Sequence, residues 1–341
     1  MPDSESVETQ SLDHQPEQLE FVEVTSGLRF PEGPVAMPDG SVILVEMFGP
    51  RITRVMPDGT KHTIVDIVGG PNGLAIGPDG ALYVCNNGGC FTPVEVGEWL
   101  LPGPFDPIRY VGGSIQRVDL DTLEITDLYT ECDGHPLRAP NDIVFDSAGG
   151  MWFTDHGIRD GAARTSDLTS IYYAMPDGSS IREVVHPVEA PNGIGLSPDE
   201  TRVYWAETFN GRVMQRAISA PGVIVEPAGI DPSVCLAGLA GYQLLDSLGV
   251  DGDGNVCVAT LSNGGITVIS ADGSSVTHHP TGDPLTTNIC FGDEDGSGEY
   301  RTAFITLSGS GKLVKTRWPH RGLRLNFEER HRDRPLGSTD G

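Results

Sequence analysis

Short apolar runs of five or six residues recur along most of the chain, separated by turns built on Gly, Pro, Asp and Asn. Runs such as S-V-I-L-V-E, A-L-Y-V-C-N, M-W-F-T-D and R-V-Y-W-A-E are rich in β-branched and aromatic residues, which suit a pleated, buried surface. No stretch holds the i, i+3, i+4 spacing of an amphipathic helix over several turns. The pattern predicts a protein made almost wholly of strands.

The runs are organised as a repeat. Six copies open alike, at P-E-G-P-V-A-M-P-D-G (31), P-N-G-L-A-I-G-P-D-G (71), P-N-D-I-V-F-D-S-A-G-G (140), P-N-G-I-G-L-S-P-D-E (191), L-D-S-L-G-V-D-G-D-G (245) and T-N-I-C-F-G-D-E-D-G (287). Each continues through a D-G type turn, a hairpin signal, into a second β-rich run, a third strand such as R-I-T-R-V, and usually a polar fourth. Four antiparallel strands per unit of about 40 residues, repeated radially, make a propeller blade. The reading is an all-β, six-bladed β-propeller over residues 21–318. The strand F-V-E-V-T (21–25) precedes the first copy and is expected to complete the last blade. Residues 1–20 are read as a flexible acidic N-terminus and 319–341 as a C-terminal tail. The tail's alternating charges suggest a mobile or a subunit-contacting segment.

Topology places the residue after each opening Pro. In an up-and-down blade the start of strand one and the end of strand two share a face, so this residue sits where the innermost strand enters the central channel. Around the ring it reads Glu32, Asn72, Asn141, Asn192, Asp246 and Asn288. Asn-Gly is a turn signal in its own right, but that does not account for Glu32, Asn141 or Asp246. Six oxygen-bearing side chains at equivalent positions, without His or Cys in the pattern, point to one hard divalent cation. Ca²⁺ fits first, with Mg²⁺ and Mn²⁺ behind it and Zn²⁺ last on ligand type.

These segments resemble the SMP-30/gluconolactonase/luciferin-regenerating-enzyme family across about residues 21–318. The resemblance implies a metal held by Glu32 in F-P-E-G-P, Asn141 in A-P-N-D, Asn192 in A-P-N-G and Asp246 in L-L-D-S, where the family usually reads P-D-G. It also implies lactonase chemistry, while similar propellers hydrolyse organophosphates. A cation at the channel mouth polarises a carbonyl or phosphoryl oxygen and makes water more acidic. Asp246 is then the candidate general base, with Asp155, His156 and Glu207 next. Asn72 and Asn288 are either substrate contacts or strand-starting residues.

Two insertions leave the same face. Residues 86–113 carry Phe91, Trp99, Phe105 and Tyr110 and read as a structureless apolar lid, with Trp99 and Phe105 as substrate contacts. Residues 155–169 bring Asp155 and His156 near the mouth. His156 is a further candidate substrate contact, or a proton carrier.

Composition narrows the partners to a small molecule. The net charge of −26 argues against nucleic acid and anionic membrane surfaces. Six cysteines form no C-x-x-C pair, and Cys85, Cys257 and Cys290 fall in apolar runs. With no signal-peptide pattern and no run long enough for a membrane span, a cytoplasmic protein with reduced thiols is expected. D-G-D-G-N (251–255) lacks the Glu that a calcium loop needs at position twelve and reads as a hairpin turn. There is no G-x-S-x-G nucleophile elbow. The leading expectation is a metal-dependent lactone hydrolase, on a sugar or a more apolar lactone; the alternatives are phosphotriester hydrolysis and a non-catalytic ligand-binding propeller.

Overall fold

A computed structural model describes residues 19–293 and 296–328. Six antiparallel sheets, five of four strands and one of five in which Cys235–Gly238 also pairs with Arg212–Ala220, follow one another around a central channel, a six-bladed β-propeller. The inner strands are Pro31–Ala36, Pro71–Ile76, Pro140–Phe145, Pro191–Leu196, Leu244–Val250 and Thr286–Gly292. Among the described residues the only helical element is the 3₁₀ turn Pro232–Val234.

Blade packing explains the apolar runs. The first four inner strands are buried at every position, because a neighbouring blade covers each face. Burial on both faces removes the in–out alternation a half-exposed strand would show. The outer strand Lys61–Asp66 is exposed along most of its length and correspondingly polar. The core divides into clusters at the blade boundaries. Tyr83, Cys85 and Ile115 of blade two, for example, pack on Phe145, Phe153 and Tyr172 of blade three. Cys85, Cys257 and Cys290 are buried free thiols within these layers.

Ring closure is by strand exchange between the ends. Val22–Thr25 pairs antiparallel with Lys312–Arg317 of blade six, as the early strand predicts. Residues 1–18 of the expected flexible N-terminus lie outside the described residues, whereas Leu19 and Phe21 pack against the core of blades five and six.

The start of the tail packs against the propeller. Residues 321–328 run across the channel end opposite the opening Pro residues. Gly252 N donates to Arg321 O (2.6 Å) and Gly322 N to Tyr300 O (2.9 Å). Asn326 Nδ2 donates to Phe145 O (3.0 Å) and to Glu200 Oε1 (2.7 Å). Phe327 lies edge-on to Phe145, ring centroids 6.1 Å apart. Apolar Leu323 and Phe327, interleaved among the charges, anchor this stretch. The remainder of the tail, 329–341, is outside the described residues. Between this segment and the middle of the channel lies a cavity of about 130 Å³.

The insertion of blade two is not structureless. It folds into a hairpin, Pro93–Val96 with Trp99–Pro102. The insertion of blade three contains a shorter pairing, Arg159–Asp160 with Thr165–Ser166.

Candidate active site at the channel mouth

All six ring residues are buried and stand at the entrances of their inner strands. A local feature absent from the repeat pattern puts them there. In every blade the pairing of the inner strand with strand two slips by one residue around the ring position. A β-bulge inserts one unpaired residue and re-aims side chains, and such bulges concentrate beside active sites. Here the bulge frees the ring residue from the in–out alternation of its strand.

The glycine after several ring residues has its own reason. A Cβ on Gly73 would lie 2.5 Å from the Asn141 carbonyl oxygen and 2.7 Å from the Asp142 Cα of the next blade. At Gly193 it would collide with the backbone at Ser247 and Leu248. Asn-Gly at these positions therefore sets how closely successive inner strands approach.

Side-chain oxygens that accept from backbone N–H groups hold the entrances. Asp155 takes the Arg138, Ala139 and Gly157 N–H groups at 2.6, 2.7 and 3.0 Å, which fixes the approach to Asn141. Glu46 takes the Arg29 N–H at 2.7 Å, and Asn86 Oδ1 takes the Gly70 N–H at 2.9 Å. Asp155 is thus fully engaged and sealed from solvent. Glu207 accepts from Trp205 Nε1 and Asn210 Nδ2. Two of the three reserve candidates for a base, Asp155 and Glu207, are occupied as structural acceptors.

Within the ring, Asn288 Nδ2 donates to Glu32 Oε2 (3.4 Å), so Asn288 supports Glu32. Asn192 Nδ2 donates to Thr208 Oγ1 (3.3 Å), and its Oδ1 faces Ser247 Oγ at 3.5 Å. Asn141 Oδ1 is buried and has no hydrogen-bond partner. No ring contact of Asn72 distinguishes a substrate role from a structural one.

One member was missed by the sequence analysis. Asp142, next to Asn141, is buried with its carboxylate between blades: Ile143 N donates to Oδ1 (2.9 Å) and Ile194 N to Oδ2 (3.3 Å). Its signal was available, since P-N-D replaces P-N-G only in this copy. Burial pushes the Asp142 carboxyl up to about 7. Burial also raises Asp246, helped by the Asp142 charge and opposed by the Asn192 hydrogen bond. Glu32 is raised well above the usual carboxylate range, by burial first and then by the charges of Asp246 and Asp142. The Asp142 charge raises Asp246, the charges of Asp246 and Asp142 raise Glu32, and an orphaned carboxamide oxygen stands in the same ring. Such a group is costly unless something compensates its charge.

That donor chemistry fits a hard divalent cation, which relieves the repulsion and satisfies Asn141 Oδ1. No group of three or more His, Cys, Asp and Glu side chains alone is arranged to hold a metal among the described residues. The carboxamides are therefore essential to any such site.

The insertions surround the mouth unevenly. Leu100 packs with Phe30 and Met47 of blade one, and Leu285 and Phe91 adjoin them. Trp99 lies beside Gly309 of blade six, lining a cleft with Arg29 and Glu95 rather than joining the ring. Phe105 stacks edge-on with Tyr110 (5.5 Å) and packs on Cys90, Ala139 and Ile158. Phe91 is the insertion's aromatic that meets His156, ring centroids 6.0 Å apart. Phe209, from the second connection of blade four, approaches His156 from elsewhere on the rim at 5.7 Å. Sequence reasoning did not single out Phe209.

Fold and site together define a six-bladed propeller whose channel mouth carries a ring of buried oxygen donors. The family model described as "SMP-30/Gluconolactonase/LRE-like region" matches residues 30–309, and the chain belongs to that family. The chain is 27% identical over 300 residues to "Lactonase drp35" of Staphylococcus epidermidis, covering 80% of this chain and 82% of the relative. A Lactonase drp35 of Staphylococcus aureus is 28% identical over 242 residues, covering 69% and 64% respectively. Among solved structures, a gluconolactonase of Xanthomonas campestris superposes with a TM-score of 0.68 at 22% identity, covering 88% of this chain and 90% of its own. A calcium-binding protein, regucalcin, of Agrobacterium tumefaciens gives 0.64 at 16% identity, covering 88% and 98%. These structures share the fold. No helix among the described residues is long and apolar enough to cross a membrane.

Proposed function

We propose that this protein is a divalent-cation-dependent lactonase, with Ca²⁺ the first choice of ion, acting on a small-molecule lactone at the channel mouth. The observation that carries it is the unpartnered Asn141 Oδ1 in a ring with three buried carboxyls raised by burial, of which Asp246 is further raised by the Asp142 charge and Glu32 by both others. Relatives named as lactonases support the reaction class. Glu32, Asn141, Asn192 and Asp246 would hold the ion. The ion, when bound, supplies Lewis-acid polarisation of the substrate carbonyl and a more acidic water.

The remaining work falls to the chain. Glu32 contributes charge balance, oriented by the Asn288 amide. Asp246 accepts the proton of the attacking water and returns it to the ring oxygen as the acyl C–O bond breaks. The products are an alcohol and a carboxylic acid, which releases its proton to solvent to become the carboxylate. Asp142, fixed by the Ile143 and Ile194 N–H groups, keeps negative potential beside Asp246 and sustains its basicity. The hairpin Pro93–Pro102 covers part of the rim and restricts water.

The test is a panel of lactones assayed with and without EDTA, followed by restoration with Ca²⁺, Mg²⁺, Mn²⁺ or Zn²⁺. Lactone hydrolysis that survives exhaustive chelation at full rate defeats metal dependence. No hydrolysis of any lactone with the ion restored defeats the lactonase reading.

A further inference from the structure

We propose that His156 selects the substrate at the mouth, its Nε2 accepting a hydrogen bond from a lactone that carries one free hydroxyl on an otherwise apolar ring. This rests on the lactonase reading and names the substrate class of the same site.

His156 follows strand two of blade three, Met151–Asp155, and its backbone N–H donates to Ala139 O at 2.9 Å. It therefore stands on the rim, beside the segment that opens with Asn141. Its Nδ1 lies 3.2 Å from the Gly157 carbonyl oxygen. A carbonyl oxygen only accepts, so the contact assigns the proton to Nδ1 and leaves Nε2 with a bare lone pair. No described protein group hydrogen-bonds Nε2, and that atom is not sealed from solvent.

The flanking groups are apolar. Phe91 and Phe209 meet the imidazole edge-on, at interplanar angles of 65° and 64°. Phe209 is itself held: the Arg159 guanidinium carbon lies 3.2 Å from its ring centroid, and Arg159 is paired with Glu189 at 2.7 Å. Burial, with the Arg159 charge nearby, takes His156 down to about 4, so the imidazole is a neutral acceptor at pH 7.

One acceptor between two aromatic rings sets the ligand chemistry. A lactone without a hydroxyl covers Nε2 and leaves it unpaired, the situation that makes hydrogen-bonding sites reject deoxy analogues. A polyol presses further hydroxyls onto the Phe91 and Phe209 rings, whose carbons offer no hydrogen-bond partner. A single hydroxyl satisfies Nε2 and leaves the rest of the ring for the aromatic edges.

The experiment uses three six-membered lactones: δ-valerolactone, a monohydroxylated δ-valerolactone and glucono-δ-lactone. Turnover is measured as kcat/KM. Binding is measured separately by calorimetry on cyclohexanone and 3-hydroxycyclohexanone, which present a ring carbonyl that cannot be hydrolysed. One neutral hydrogen bond corresponds to a preference of about tenfold for the monohydroxylated member of each series. In His156→Phe, which keeps an aromatic ring, that preference should vanish. His156→Gln, which retains an acceptor, should recover part of it. If no lactone is turned over, the lactonase reading fails, and the ketone pair still judges His156. The proposal is overturned if wild type shows no hydroxyl preference in either readout. It is equally overturned if His156→Phe and His156→Gln lower all ligands alike.

Discussion

The Leu100 N–H donates to the Gly309 carbonyl at 2.9 Å, tying the insertion of blade two to blade six across the entrance of blade one. A second tie, Arg29 to Glu95 at 3.3 Å, is exposed and contributes little to stability. Few bonds hold the hairpin, which we propose shields part of the mouth. Replacing Pro93–Pro102 by a short Gly-Ser linker should change the kcat/KM ratio of bulky to small lactones by at least about tenfold. The melting temperature should fall by only a few degrees, roughly the cost of about 1 kcal/mol. A large loss of melting temperature with an unchanged ratio would make the hairpin a strut instead of a lid.

Metal dependence has a thermodynamic readout that does not require turnover. Ca²⁺ at about 100 times its Kd should stabilise the chelated protein by about 2.7 kcal/mol. Glu32→Gln combined with Asn192→Ala removes one charge and one oxygen donor from the ring, so the stabilisation should disappear. Stoichiometric metal retained by the double variant, measured by elemental analysis, would remove these residues from the ligand set.

Asp246→Asn preserves the shape of an oxygen donor and deletes the proton acceptor. Metal affinity should weaken but survive, while kcat falls by about 10²–10⁴-fold, the usual contribution of a general base. Asp142→Asn should cost less in kcat, because its carboxylate acts on Asp246 through space and its Oδ1 still receives the Ile143 N–H. Near wild-type turnover in metal-loaded Asp246→Asn would show it to be a spectator.

The pH dependence of stability follows from His156. Its folded pKa, lowered to about 4 by burial, lies below the unfolded value of 6.5. The unfolded chain therefore takes up the proton first. The stability tied to a neutral His156 is complete above 6.5 and is lost as pH falls toward 4. The span corresponds to about 3 kcal/mol at most. His278 and His279 are lowered by burial too, and the ring carboxylates slope the opposite way, so a comparison at each pH is needed. Between pH 7 and 4.5 the urea midpoint of His156→Phe should fall less than that of wild type. Parallel curves would mean that His156 is not held neutral by the fold.

Much of this protein is legible in one dimension because its blades repeat. Strand and turn residues recur every 40 to 70 positions, so blade number, the pairing of F-V-E-V-T with the last blade, and the ring from Glu32 to Asn288 all follow from self-similarity. What does not repeat was hidden. Asp142 looks like a minor variant of Asn-Gly until its carboxylate is found bonded to Ile194 of the next blade. Trp99 and Phe105 have the composition of a lid, yet the hairpin directs them to blade six and to Tyr110, and Phe91 is the one that meets His156.

The sequence by itself determined the strand content, the blade repeat and the channel-entrance positions, since these depend on local propensity and on a period that any one blade reproduces. Only the tertiary structure decided which oxygens lack partners, which carboxyls burial and neighbouring charges raise, and that residues 321–328 close the far end of the channel. Those facts depend on distances between residues far apart in the chain, such as Glu32 and Asn288, separated by 256 positions. The electrostatic cost of burying charge is set by such neighbours and by the exclusion of water, neither of which is encoded in any local stretch.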